Sequence, residues 1–384
     1  MSKKRKDNKG RILRSGESQR KDLTYMYRYI DNDGTRRSVY APSLIELREK
    51  EDVIASRLRS GVIAGACITV GELVKQYIDT KRNLKHTTAK SYDIAYRHIM
   101  ESSFAKLDVT KVTKSAVKRF YIELNEGGLS YSSIQTLVKV LKPAFKQAVD
   151  DDIIIKSPCA FPLSEVVKDD TARRKPITQE QLNLFLEFID STPKFKRFYN
   201  IVAVLAYTGV RVSELCALTI EDVDFEKNRI FVNKQTSYTI QRGRYLETTK
   251  TESGNRYITI DPALLPHLQD AVCTATNRKW QPVVDGTSGF LFVTKHGEMC
   301  LSHDVTTIVK TIWNNYNATH TEPLPKITPH IFRHTFCSRC IELGMNVKAV
   351  QYLMGHASSV VTMDIYSHVT YDSVEQAFMK AHSA

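Results

Sequence analysis

Apolar and polar positions follow a β-strand period near the start of the chain. Residues 25–29 carry a tyrosine at every second position, which predicts a strand with one buried face. The segment 31–34 predicts a turn, and residues 36–40 predict the returning strand. An earlier segment, 10–17, is a candidate third strand. Ser43 stands three positions before Glu46, which is a helix-start pattern, so a helix to about Arg59 is predicted to pack on the sheet.

Residues 68–165 change to a helical period. Four helices are predicted at 69–81, 87–100, 113–125 and 130–150, and each begins near a Ser or Thr that can cap it. The pair Gly127–Gly128 separates the third helix from the fourth, and Pro143 falls inside the fourth. Val138, Leu141 and Phe145 recur at helical spacing and are predicted to be core.

A polar segment at 168–176 that ends in proline predicts a hinge before the third part. This part alternates helices with three strands, predicted at 229–236, 244–249 and 256–260, and residues 252–255 are predicted to form the turn between the last two. The fold class is therefore multidomain. A small β-sheet-plus-helix N-terminal domain is predicted at 1–62, an all-α domain at 68–165, and a mainly α domain with a small antiparallel sheet at 176–384.

Composition and charge narrow the class of protein. The chain has 384 residues, of which 25% are charged and 42% hydrophobic, as is typical of folded multidomain proteins. The net charge of +13 suits a polyanionic partner such as nucleic acid. No run of about 18 apolar residues occurs. The basic N-terminus is not followed by an apolar stretch, so neither a transmembrane helix nor a secretory signal is predicted.

The seven cysteines are odd in number and scattered, which argues against a disulfide framework in so long a chain. Cys337 and Cys340 have the spacing of metal ligands, but they lie in a helical pattern without a second cysteine pair. Buried reduced thiols in a reducing cytoplasm are therefore predicted. No metal ion or other cofactor is expected.

Short motifs in the C-terminal part carry candidate phosphate chemistry. Arg211 lies in Thr-Gly-Val-Arg-Val-Ser-Glu-Leu, and His330-Ile-Phe-Arg333 follows Thr-Pro at a predicted helix start. His356 follows a glycine, and Tyr366 lies ten residues further on. Arginine matches phosphate oxygens in pairs, histidine moves protons near neutral pH, and tyrosine can act as a covalent nucleophile. Brought together, these side chains would hold a phosphodiester and attack it.

In these motifs and their order the chain resembles the tyrosine recombinases, the family of phage and transposon integrases. Each pattern alone is weak, but their succession across most of the C-terminal half is specific. The residues that carry the resemblance are Arg211, Lys250, His330, Arg333, Gly355, His356 and Tyr366. The rest of the chain looks like the integrases of conjugative transposons, which have an additional N-terminal DNA-binding domain.

The resemblance implies how the phosphodiester would be cut. Arg211 and Arg333 would neutralise the nonbridging oxygens of the scissile phosphate and the charge of the transition state. Tyr366 would attack in line and become joined to the 3′ phosphate. The phosphotyrosyl bond would conserve the energy of the phosphodiester, so no cofactor would be needed.

The same resemblance implies the proton transfers. Lys250, at the predicted turn, would be the general acid for the 5′ leaving oxygen, with Lys234 as a weaker alternative. His330 would act as a base or proton relay for the nucleophile, and His356 would hydrogen-bond the phosphate. Tyr371 is a rival nucleophile, but it lacks the spacing of the family.

The partners that the resemblance implies are all connected with DNA. The N-terminal domain would bind arm sites in double-stranded DNA, and the helical domain would clamp the core recombination site. Strand exchange through a Holliday junction needs four active sites, so a homotetramer on two duplexes is expected. An excision factor is a candidate partner, no membrane partner is expected, and the location would be cytoplasmic.

Three other functions compete with integration and excision of a mobile element. A housekeeping recombinase that resolves chromosome dimers usually begins at the helical domain, so the basic N-terminal part disfavours it. A DNA-binding regulator that lost catalysis is disfavoured by the complete residue set. A type IB topoisomerase shares the chemistry but is a more distant match.

Overall fold

The computed structural model describes residues 5–31, 34–59, 68–82, 84, 86–171, 175–248, 254–356 and 358. The chain separates into two compact units, Met1–Ala172 and Arg173–Ala384. Within the described ranges, no helix is both long and apolar enough to cross a membrane.

A three-stranded antiparallel sheet and one helix form the first part of the chain. They are β1 (Glu17–Gln19), β2 (Tyr25–Ile30), β3 (Arg36–Ala41) and α1 (Leu44–Arg59). The predicted hairpin of β2 and β3 and the predicted helix are confirmed. The helix begins after Ser43, whose Oγ accepts a hydrogen bond from the Glu46 N–H at 3.2 Å. The third strand lies later than predicted, because Gly16, at φ 88°, turns the chain just before β1.

The two faces of this sheet differ in chemistry. Tyr25 is buried with apolar residues of α1, and Tyr27 packs against the same cluster. The tyrosine row of β2 therefore faces the helix. On the opposite face Arg28, Arg36 and Tyr40 are exposed. The exposed face of the sheet therefore presents arginines and one tyrosine of β3 rather than the tyrosine row.

Four helices follow, and they confirm the predicted helical region. They are α2 (Val70–Asp79), α3 (His86–Met100), α4 (Lys114–Glu126) and α5 (Tyr131–Asp150). Thr69, Thr113 and Ser130 cap α2, α4 and α5 through their side-chain oxygens, which accept N–H groups of the first turn. The core between the helices includes the stacked rings of Phe104 and Phe120, whose centroids are 4.6 Å apart.

The second unit is mainly helical and contains two small sheets. Its helices are α6 (Gln179–Ser191), α7 (Pro193–Lys196), α8 (Tyr199–Thr208), α9 (Val212–Ala217), α10 (Leu265–Thr276), α11 (Ser302–Thr319), α12 (Pro329–Glu342) and α13 (Val347–Met354). Its strands are β4 (Val223–Asp224), β5 (Arg229–Val232), β6 (Lys234–Thr239), β7 (Gly243–Thr248) and β8 (Arg256–Thr259). The strands form one sheet in the order β4-β5-β8 and a separate hairpin of β6 and β7.

The predicted pairing of these strands is wrong in two respects. The segment predicted as one strand at 229–236 is divided between β5 and β6, which belong to different sheets. The strand predicted at 244–249 does not pair with the one at 256–260; β7 pairs with β6, and β8 pairs with β5. Ile230 and Ile258 are both buried and lie opposite each other, which accounts for the β5–β8 register. The predicted turn between β7 and β8 is therefore a connection between two sheets.

Helix α8 lies in the hydrophobic core of the second unit, and its end must be a glycine. Residues 201–206 of α8 are all buried. Gly209 ends the helix at φ 61°, a left-handed conformation that glycine adopts without strain. A Cβ at this position would also overlap the ring of Phe336 on α12. The turn after α8 is thereby held against α12, and the next residues enter the site from a fixed position.

Two cysteines of α12 are buried thiols, as predicted. Cys337 and Cys340 pack with residues of α13, and burial raises the pKa of each thiol to about 11. Both thiols are therefore protonated at neutral pH and are poor nucleophiles.

Candidate active site

Arg211 lies at the N-terminal end of α9, and Glu214 holds it there. The Glu214 carboxylate accepts the Arg211 backbone N–H at 2.9 Å and its Nη1–H at 2.7 Å. Arg211 thus receives its orientation from a residue of the first turn. Glu214 is 2% exposed, and its hydrogen bonds with arginines lower its pKa against the opposing effect of burial, so it is ionised at neutral pH.

Arg333 comes from a different element and reaches the same region. It lies on α12 with 6% exposure, and its Nη1 donates to the Gly209 carbonyl at 2.6 Å. Its Nη2 donates to the Met354 carbonyl. Arg333 therefore joins the end of α8 to the end of α13.

The C-terminal end of α13 collects three arginines. The carbonyls of three successive residues, 353–355, accept hydrogen bonds from Arg256 Nε at 2.7 Å, Arg333 Nη2 and Arg211 Nη2 at 2.8 Å, respectively. Carbonyls at a helix C-terminus have no partner within the helix and carry partial negative charge. These carbonyls therefore hold the three guanidinium groups side by side, and no separate carboxylate is needed for each group.

The same helix end positions His356. Gly355, at φ 60°, donates its N–H to the Tyr352 carbonyl at 2.9 Å, and His356 donates its N–H to the Gln351 carbonyl at 3.1 Å. This is the Schellman arrangement that closes many helices, and it requires a residue such as glycine in the left-handed conformation. His356 is 8% exposed. This helix cap consequently fixes the position of His356.

Burial and positive charge change the titration of two site residues. Burial, and then the charges of the neighbouring arginines, Arg333 first, lower the pKa of His356 to about 4. His356 is therefore a neutral imidazole at neutral pH and can donate an N–H to a phosphate oxygen. Burial, followed by the charge of Arg211, lowers the pKa of Arg333 to about 9, so its guanidinium remains charged at neutral pH.

The remaining predicted residues lie partly outside the described ranges. His330 is exposed in the first turn of α12, one turn before Arg333. Lys250, Tyr366 and Tyr371 fall on residues that the structure does not describe. Lys234 is described: its Nζ donates to both carboxylate oxygens of the buried Asp222, at 2.6 and 2.5 Å. This ion pair assigns Lys234 a structural role and leaves Lys250 as the candidate acid.

A large cavity of the second unit lies elsewhere. It has a volume of about 1020 Å³ and is lined by residues of α8, α10 and α11 and of the segment 291–300. Arg211, His330, Arg333 and His356 do not line it. The candidate site is therefore separate from this cavity.

One arginine of the site is missing from the sequence-based set. Arg256, the first residue of β8, donates Nη1 and Nη2 to the Glu214 carboxylate at 3.2 and 2.8 Å. From the sequence it is only the start of a strand after a turn. Its burial depends on Glu214 and Leu353, which lie 42 and 97 positions away in the sequence. No local sequence pattern predicts these contacts.

Comparisons with known proteins identify the family. The model of the phage integrase family matches residues 175–373, the phage integrase SAM-like domain matches 69–165, and the DNA-binding domain of Tn916 integrase matches 1–58. The chain belongs to the phage integrase family. It is thus a tyrosine-type site-specific recombinase.

Transposon proteins are similar to this recombinase over nearly its whole length. The transposase from transposon Tn1545 of Streptococcus pneumoniae is 33% identical, and the alignment covers 97% of this chain and 95% of the relative. The transposase from Tn916 of Enterococcus faecalis is 32% identical with the same coverage. The Tn1549 transposon integrase, solved in complex with a circular intermediate DNA, is 35% identical with a TM-score of 0.77; the match covers 82% of this chain and 99% of that one.

Proposed function

We propose that this recombinase integrates and excises a mobile genetic element, most closely of the conjugative-transposon kind. It cuts and rejoins double-stranded DNA through a covalent 3′-phosphotyrosyl intermediate and a Holliday junction. The observation that supports this chemistry best is the convergence of Arg211, Arg333 and His356 on one helix end.

The charges of this cluster suit a phosphodiester. Arg211 and Arg256 share the buried Glu214 carboxylate, and Arg333 is held by backbone carbonyls, so the cluster has a surplus of positive charge before any substrate binds. Arg211, with 35% of its side chain exposed, offers N–H groups to a nonbridging oxygen, and Arg333 supports the second. His356, neutral at the pH of the reaction, donates to the same phosphate without adding another charge.

The proton transfers are assigned to residues around this cluster. Tyr366 is the nucleophile, and His330, on the exposed first turn of α12, accepts or relays its proton. Lys250 protonates the 5′ leaving oxygen. A positioned general acid or base contributes roughly 10²–10⁴ in rate, so substitution of His330 or Lys250 by alanine is expected to reduce cleavage within that range.

The N-terminal part favours a mobile element over a housekeeping recombinase. It matches the DNA-binding domain of Tn916 integrase, and the transposon relatives align over 97% of the chain. We assign residues 1–62 to arm-site binding, 68–165 to the core site and 176–384 to catalysis. The working form is a cytoplasmic homotetramer on two duplexes, with an excision factor as an additional partner.

The decisive experiment traps the covalent intermediate. Purified protein is incubated with nicked duplexes that carry the ends of the element, and a denaturation-resistant protein–DNA adduct is measured on a gel. The adduct is expected with the wild-type protein and with Tyr371→Phe, and it is expected to be absent with Tyr366→Phe. Specific DNA binding without any adduct would contradict the proposed chemistry and favour a regulator.

Arm binding is tested separately on the exposed sheet face. Arg28→Ala and Arg36→Ala are expected to weaken binding to arm DNA, and the salt dependence of binding should become shallower because each removes one phosphate contact. Arg119→Ala, an exposed arginine of α4, is the matched control and should leave arm binding unchanged. Equal effects of all three substitutions would refute a role for this face.

A further inference from the structure

A completely buried arginine lies behind the candidate site. Arg256 is 1% exposed, and its side chain has no solvent-accessible surface. Its guanidinium binds the Glu214 carboxylate with two N–H groups, the Leu353 carbonyl with Nε at 2.7 Å, and the Gly254 carbonyl with Nη1 at 3.1 Å. DNA cannot reach this group, so any influence on the reaction must pass through its neighbours.

We propose that Arg256 is a positioning residue for strand cleavage, which orients Arg211 through Glu214 and fixes the end of α13 through the Leu353 carbonyl. The inference rests on the proposed function, because it concerns the rate of the cleavage step assigned there. It adds to that function a residue that never touches DNA.

The first path runs through the carboxylate. Glu214 is held between two arginines: Arg256 binds both of its oxygens, and Arg211 binds the same two oxygens through Nη1 and the backbone N–H. A bidentate pair fixes the plane of the carboxylate as well as its distance. Because that plane determines where Nη1 of Arg211 is held, a change at Arg256 is transmitted to the guanidinium that faces the phosphate.

The second path runs through the helix end. The Leu353 carbonyl that Arg256 binds is followed directly by the carbonyls that bind Arg333 and Arg211 and then by His356. Loss of the first bond would allow the last turn of α13 to shift. Displacements of about 1 Å in a catalytic group can reduce a rate by roughly 10²-fold.

Lysine cannot replace arginine at this position. Its ammonium is a single point of charge, whereas Arg256 uses all three nitrogens of a planar group to reach three residues. Arg256→Lys therefore keeps the charge but loses the geometry. Arg278→Lys is the matched control, because Arg278 also binds carbonyls, those of Phe290 and Leu291, but does so away from the site.

The test compares cleavage, DNA binding and stability of the full chain. For Arg256→Lys we expect a 10- to 100-fold lower single-turnover rate of adduct formation at saturating protein. DNA affinity should stay within about threefold and the melting temperature within about 5 °C. Arg278→Lys should leave the rate unchanged. Arg256→Gln, which retains hydrogen-bonding groups, replaces Arg256→Lys if the latter does not fold.

A double-mutant cycle separates positioning from simple stabilisation. If Arg256 acts through Arg211, Arg256→Lys should cost clearly less in an Arg211→Lys background than in the wild type, because residues in one network are not additive. The proposal would be overturned if Arg256→Lys lowered the cleavage rate by the same factor in the wild-type and Arg211→Lys backgrounds. A wild-type cleavage rate for Arg256→Lys would also overturn it. If the wild type and Arg256→Lys form the adduct at the same rate, only this inference is refuted. If the wild type forms no adduct, the proposed function and this inference are refuted together.

Discussion

Replacing Glu214 by glutamine should destabilise the catalytic domain strongly, although the side chain keeps its size. The carboxylate accepts four hydrogen bonds from Arg211 and Arg256, with distances of 2.7–3.2 Å. Glutamine removes the charge and turns an N–H group toward these donors. Breaking one side of a buried ion pair costs about 3–5 kcal/mol. For a unit of this size, that loss lowers the melting temperature by roughly 6–20 °C.

Denaturant unfolding of the full chain, with fluorescence and circular dichroism, measures the difference between Glu214→Gln and the wild type. Glu221→Gln is the control, because Glu221 is exposed, and it should change stability by less than about 0.5 kcal/mol. The pKa of Glu214 is depressed, so its charge stabilises above the unfolded-state pKa of 4.5, and this contribution is lost as pH falls through the folded-state pKa. A loss under about 1 kcal/mol at pH 7, or a difference that grows in acid, would refute this reasoning.

Three further substitutions test separate features. Gly209→Ala should lower the free energy of unfolding, measured with denaturant, by about 1–3 kcal/mol more than Gly286→Ala does. Both glycines have positive φ, but of the two only Gly209 lacks room for a Cβ. Burial, then a neighbouring carboxylate, raises the pKa of Glu51 to about 7, so its ionisation destabilises the fold as pH rises from about 4.5 through 7. Glu51→Gln should therefore stabilise the chain at pH 8 relative to the wild type, and this advantage should vanish at pH 5. Lys234→Ala should lower stability by about 3 kcal/mol yet leave the cleavage rate of the folded protein unchanged, whereas Lys250→Ala should lower the cleavage rate by roughly 10²–10⁴ without that loss of stability.

The helix boundaries of this chain depend on neighbouring residues. Thr69 and Thr178 each form a capping box with a side chain three positions later, so the starts of α2 and α6 are local properties. The ends of α8 and α13 are similar, because Gly209 and Gly355 supply the left-handed residue that closes each helix. The fold class followed from these boundaries and from the change of hydrophobic period.

The features that the sequence did not predict depend on distant partners. β5 and β8 pair across an intervening hairpin, and the alternation within each strand does not specify which strand lies beside it. The role of Arg256 was missed for the same reason, since its partners Glu214 and Leu353 are far away in the sequence. The acceptors at 353–355 are backbone carbonyls, which every residue has, so no residue type marks them.

The cluster of like charges at the end of α13 also explains why an anion belongs there. Arg211, Arg256 and Arg333 bring three positive charges, and Glu214 supplies one negative charge. The C-terminal carbonyls of a helix add the equivalent of roughly half a negative charge. Roughly one and a half positive charges remain in a region where burial already lowers the pKa of Arg333 to about 9. A phosphodiester with its single negative charge would offset most of this positive charge, and its binding should therefore raise the pKa of Arg333.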